Sequence, residues 1–157
     1  MSDDRPVPPA SADEPWSIGW DTAMGFRYLR ATRDEVVVEY EVAPVHRQAY
    51  GIVHGGVHAG AIEATCSAGA GIDAMARGQS VVGLENHTSF VRAVRAGRVE
   101  VRATPVTRGR RVQLWEATAR DAEGRIVATG RVRLLCLDAG AELAGQTVAT
   151  TRTRDVP

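Results

Sequence analysis

The chain has no lysine: all 19 of its basic residues are arginine. That excludes Schiff-base chemistry on a lysine and a phosphate loop that needs one. Cysteine is nearly absent too. Cys66 and Cys136 stand far apart, which fits neither a disulfide framework nor a zinc-ligand pattern, and two buried thiols are expected. Charge of one sign is not in excess, because 19 acidic residues bring the formal net charge to +0. A general attraction to nucleic acid or to an anionic membrane is therefore not expected. No apolar run approaches membrane-spanning length, and the first residues lack the apolar core of a signal peptide, so a cytoplasmic location is expected.

What is present is enough for one domain with its own core: 157 residues with 44% hydrophobic and 24% charged residues. Residues 1–15 are rich in Pro, Asp, Ser and Ala and are expected to be a disordered arm. Residues 139–157 are small, polar and aperiodic and are expected to be a flexible tail, which leaves 16–138 as the folded domain. Within it, Glu35–Ala43 has the β-branched content of a strand, with a weaker strand before it at Met24–Ala31. Gly55–Arg77 is rich in Ala, Gly, Ile and Met and ends at Gly78, as expected of one long helix. Four strand-like runs follow, Ser80–Val91, Gly97–Val106, Arg111–Asp121 and Arg125–Leu137. Short links holding Gly97, Gly109 and Gly124 join them and predict antiparallel hairpins. The segregated order predicts an α+β fold, a single helix on an antiparallel sheet of five or six strands.

The chemistry concentrates between Gln48 and Ser67. Gly55 and Gly56 open the predicted helix, where unpaired N–H groups and the positive end of the dipole face outward. With no side chain at Gly55, a ligand atom can reach the backbone, as an oxyanion hole requires. Close helix–sheet packing is the alternative reason for the glycines. Glu63 is an acid among small apolar residues, and buried acids are rare unless paired or functional. Ser67, four residues on, shares its helix face and can orient the carboxylate. A solvated outer face is the alternative for Glu63. Eight residues of helix separate Gly55 from Glu63 by about 12 Å, too far for one reacting carbon to touch both. Two chains with antiparallel helices across a two-fold axis would remove the difficulty and create two shared sites.

Other patterns are weaker. His54 and His58 stand at the spacing of a zinc pair, but no third ligand is placed, so no metal is expected. Gly78-Gln79-Ser80-Val81 begins a serine-hydrolase elbow, and Val82 breaks it. Arg108, Arg110 and Arg111 put three guanidinium groups in one turn, either a phosphate site or a solvated hairpin tip.

Gln48, Gly51, His54-Gly55-Gly56 and Glu63 stand in the register of a known motif: a Gln or Asn, then Gly-x-x-His-Gly-Gly, then an acid eight residues past the first Gly of the pair. The segment resembles the hotdog-fold acyl-CoA thioesterases of the phenylacetic-acid-pathway (PaaI-like) and 4-hydroxybenzoyl-CoA type. Asn86 to Phe90, Arg92 and the Arg108–Arg111 turn look like that family's later strands, so the resemblance spans about residues 20–137. It implies a long helix wrapped by a curved antiparallel sheet, in homodimers with shared active sites that pair into homotetramers. It also implies catalytic roles for Gly55 as oxyanion donor, Gln48 and His54 beside the thioester, Glu63 as nucleophile or base, and Ser67 as its positioner. Substrate contacts are implied for Gly56, Asn86, Thr88, Arg92, Arg110 and Arg111. No cofactor is expected, since coenzyme A belongs to the substrate. The pairing of Gln48 with Glu63 looks like the aryl-CoA branch, and Ala64, Ala68, Gly69 and Ala70 beyond Glu63 would leave room for a flat ring. A non-catalytic acyl-CoA sensor on the same fold is the competing expectation.

Overall fold

The computed structural model describes residues 19–148; the expected arm at 1–15 and the end of the expected tail, 149–157, lie outside them. Each predicted element is present. β1 (Arg27–Ala31) and β2 (Val36–Glu41) precede α2 (Gly55–Met75), and β3 (Ser80–Phe90), β4 (Arg98–Arg108), β5 (Val112–Asp121) and β6 (Ile126–Leu137) follow it. A short helix, α1 (Gly19–Ala23), precedes β1. The residues expected to form an irregular tail from 139 instead begin with a small hairpin, β7 (Glu142–Leu143) and β8 (Gln146–Thr147). Ala144 and Gly145, both at positive φ, form its turn.

The six long strands form one antiparallel sheet in the order β1-β2-β4-β5-β6-β3, which is the hotdog arrangement of one long helix on a large sheet. One expectation fails here. Residues 91–97 do not close a hairpin: β3 pairs with β6 along its whole length and forms an edge, while β4 pairs with β2 and β5. The link crosses between them, pinned where Val53 N–H donates to Val94 O (2.8 Å) and Val42 N–H donates to Gly97 O (3.0 Å). Gly97 signals a reversal of chain direction, and a reversal does not specify which strand becomes the neighbour. The Arg108–Arg111 and Ala122–Gly124 links do join paired strands.

α2 lies across the sheet because one of its faces is apolar. Ala61, Ile62, Cys66 and Ala70 are fully buried against inward-facing residues such as Val38, Val101, Trp115 and Val132. The small residues of the helix decide how close it comes. A Cβ at position 69 would lie 2.4 Å from the Trp115 ring, so only glycine admits the indole under the helix. The indole N–H donates to Gln113 Oε1 (2.9 Å), and Gln113 Nε2 donates to Ala70 O (3.1 Å). Every polar atom at this buried crossing therefore has a partner.

Candidate active site

α2 carries two acids, and the fold treats them oppositely. Asp73 is buried at the C-terminal end, where Arg33 (3.2 Å), Arg77 and Arg108 (3.9 Å) surround its carboxylate. It ties the β1–β2 and β4–β5 turns to the helix and is electrostatically satisfied. Glu63, mid-helix and half-buried, has no cationic partner among the described residues. Its Oε2 accepts from Asn86 Nδ2 (3.0 Å), and Ser67 also bonds to the carboxylate. Burial pushes its pKa above the ordinary glutamate value, while the Asn86 and Ser67 bonds pull the other way. The nearby Cys66 thiol is pushed up by its own burial and by Glu63, so it stays neutral.

At the N-terminus of α2, His54 is the cap: its Nδ1 accepts from Gly56 N–H (2.9 Å). That fixes the neutral ring with its hydrogen on Nε2. It also occupies Gly56 N–H, so Gly56 offers no donor to a substrate. Gly55 N–H has no partner among the described residues. The tip of the Phe90 ring lies where a side chain at 55 would be, 2.9 Å from the ideal Cβ position. Close packing therefore requires a glycine at 55, and its N–H is left without a partner among the described residues. Gln48 sits in the preceding loop, where its Oε1 accepts from Tyr50 N–H and its NH2 group remains to donate. Arg95 clasps this loop by donating to Tyr50 O (2.8 Å).

Some expected site residues separate. Arg92 follows Phe90, next to Gly55, whereas Arg110 O accepts from Gln79 Nε2 just before β3 begins. The 11 residues of β3 put these ends roughly 30 Å apart, so one chain cannot use Arg92 and Arg110 on one phosphate group. Arg108 is bound to Asp34 (2.8 Å) and to Arg33 O (2.9 Å), which leaves Arg110 and Arg111 exposed at the turn. Gly69 and Ala70 are buried toward the sheet, so of the four small residues expected to leave room for a ring, Ala64 and Ala68 stay partly exposed. His58 does not join His54: it is buried 3.0 Å from the Tyr40 hydroxyl, and burial lowers its pKa to about 4.

Three contributors were given no role in the sequence reading. Phe90 was seen only as part of the family-like Asn86–Phe90 segment, and Arg95 had no local signal. Gly83 did have one, because an isolated glycine inside a strand marks a close approach. A Cβ there would meet Glu63 Oε1 at 2.4 Å.

The sequence model of the thioesterase superfamily matches residues 50–128, which include Gly55, Glu63 and Asn86. The chain belongs to the thioesterase superfamily. A Mycobacterium tuberculosis protein named "putative esterase" is 38% identical over 137 residues, covering 86% of this chain and 98% of that one. Its solved structure superposes with a TM-score of 0.76 at 39% identity, over 78% of this chain and 98% of that chain. The proofreading thioesterase EntH of Cronobacter turicensis is 35% identical over 69% of this chain and 79% of its own length. A Haemophilus influenzae thioesterase of known structure gives a TM-score of 0.73 at 28% identity, over 78% of this chain and 85% of that one. This thioesterase is accordingly a thioester hydrolase. Among its described residues no helix is long and apolar enough to cross a membrane.

Proposed function

We propose that this thioesterase hydrolyses acyl-CoA thioesters, with Glu63 as nucleophile or general base and Gly55 N–H polarising the thioester carbonyl. The observation that carries the reading is the contrast on α2: Asp73 is neutralised by arginines, while Glu63 has only neutral donors and a raised pKa. A half-buried acid held without a counter-charge is a functional-site signature. A binder of acyl-CoA has no need of it.

The site is shared between two protomers. Gly55 and Glu63 lie about 12 Å apart along one helix, too far to act on one carbonyl. β3 is a sheet edge of 11 residues with Leu84 and Phe90 exposed, and an edge of that length and character is ready to pair with a second copy. Pairing about a two-fold axis sets the helices antiparallel and turns the Glu63 of one chain toward the Gly55 of the other. It also brings Arg92 of one chain to the same end as the Arg110–Arg111 turn of its partner, which restores a phosphate site for the coenzyme. Two such dimers form the tetramer. In catalysis, Gln48 Nε2 and Gly55 N–H hold the carbonyl oxygen as it gains charge. Either Glu63 attacks the carbonyl carbon and expels the CoA thiolate, after which water cleaves the resulting anhydride to free acid and regenerates Glu63, its second proton going to the thiolate; or Glu63 takes a proton from the attacking water and passes it to the CoA thiolate as the C–S bond breaks. No cofactor is required.

Aryl or other cyclic acyl groups are the substrates: Gln48 and Glu63 resemble the aryl branch, and the small, partly exposed Ala64 and Ala68 follow Glu63 on α2. A thiol-release screen with benzoyl-CoA, naphthoyl-CoA and palmitoyl-CoA tests this. Higher kcat/KM for the two ring substrates is expected. A palmitoyl preference refutes the aryl assignment, and tight binding of all three without turnover refutes the enzyme.

A further inference from the structure

Resting on the assignment of Glu63, we infer that Asn86 and Thr88 are positioning residues for its carboxylate, a hydroxyl–amide–carboxylate relay across β3, and not contacts to the substrate. An amide can sit either way round, and the partner of one end decides which end faces the other way. Thr88 Oγ1 donates to Asn86 Oδ1 at 2.6 Å. The Asn86 NH2 group is thereby turned to α2, where it donates to Ala59 O (2.9 Å) and to Glu63 Oε2 (3.0 Å). Both amide hydrogens are used, so Asn86 could donate to a substrate group only by breaking the relay.

Two strand glycines make room for the arrangement. A Cβ at Gly130, across from Thr88, would lie 2.8 Å from its Oγ1 and 3.1 Å from Ile62 Cγ2. The Gly83 gap receives Glu63 Oε1. Both ends of the relay and the carboxylate therefore sit in space that any other residue would fill. Charged groups on the neighbouring elements are engaged elsewhere. On β3, Glu85 pairs with Arg133 (2.8 Å), and His87 lies on the same outer face. On β5 and β6, Glu116 pairs with Arg131 (3.4 Å). On α2, Cys66 is neutral and His58 faces Tyr40. Among the described residues, only Asn86 and Ser67 are hydrogen-bonded to the Glu63 side chain.

The sign of the effect follows. Burial favours the protonated acid, and the Asn86 and Ser67 bonds favour the ionised form that can act. Asn86→Ala removes one of the two opposing bonds, so the Glu63 pKa rises and activity is lost at a higher pH as the solution is acidified. With benzoyl-CoA, the acidic limb of kcat/KM is expected to move up by about half a unit to one unit. kcat should fall about tenfold or more, with KM within about twofold. Asn86→Asp, which sets a second carboxylate beside the first, should move the limb further, and Thr88→Val less. A 13C NMR titration of the Glu63 carboxyl, which needs no substrate, should show the same order. An unmoved Glu63 titration in Asn86→Ala, or a raised KM with kcat and the limb unchanged, overturns the relay. Glu63→Gln separates the two claims: if it keeps turnover, the assignment of Glu63 falls, whereas an inactive Glu63→Gln beside an unmoved titration sinks the relay alone.

Discussion

Glu63→Ala is expected to lower kcat for thioester hydrolysis by at least about a hundredfold, the loss typical of removing a positioned base or nucleophile. The fold should survive, because Glu63 takes part in no ion pair among the described residues and the core cluster of α2 lies on its other face. Stability should even improve in Glu63→Gln near neutral pH. The folded-state pKa of Glu63 lies above its ordinary value, so folding favours the protonated acid, and at higher pH the ionised group works against the native state. Gln is neutral at every pH and escapes this effect. Urea unfolding should therefore place the Glu63→Gln midpoint at or above that of wild type at pH 8, with the difference shrinking as the pH falls. Such a trade of stability for function is common at active sites. Near-wild-type turnover in Glu63→Ala would remove Glu63 from the mechanism.

Trp115→Ala is the second large effect, and it falls on the scaffold. The indole is fully buried beneath α2, fitted to the gap that Gly69 leaves, and its N–H satisfies Gln113. Truncating a buried Trp leaves a cavity and costs about 3–5 kcal/mol, and here it also strips Gln113 Oε1 of its donor. Against the total stability of an ordinary domain, about 5–15 kcal/mol, that is enough to shift the unfolding midpoint far down. A change below about 1 kcal/mol would show that the helix does not depend on this crossing.

Much of this architecture is legible in the residues. The long helix shows itself through its small, charge-poor composition and the Gly78 stop, and its observed end at Met75 lies within two residues of the expected one. Strand bounds agree because each strand is flanked by turn chemistry. The strand order is another matter: β3 as an edge strand depends on a crossing whose residues read like any glycine turn. The Gln48–Ser67 segment is equally legible as a site, since its spacing survives in one dimension. What separates Glu63 from Asp73 is not. Both are lone acids in a helix; Arg77, four residues after Asp73, is a local partner, but Arg33 and Arg108, distant in sequence, close on Asp73 only in the fold. The placing of the arginines was hidden for the same reason: Arg108 is drawn to Asp34 and Asp73, and Arg92 lies at the far end of β3 from Arg110 and Arg111 of its own chain. Asn86 could be tied to the site region, but its bond to Glu63 needs a register set by the irregularity between Gly83 and Glu85.

The central claim is that one catalytic centre draws on two chains, and subunit mixing tests it most directly. Gln48→Ala and Glu63→Ala chains, each inactive alone, are mixed under conditions where subunit exchange is verified by mass spectrometry, and thiol release from benzoyl-CoA is followed. In a heterodimer one site combines Gln48 and Gly55 of the Glu63→Ala chain with Glu63 of the other chain, while the second site lacks both side chains. Statistical exchange of equal amounts makes half of the dimers mixed, with one intact site of two, so about a quarter of wild-type activity should return. No return of activity in a sample shown to have exchanged would contradict the shared site.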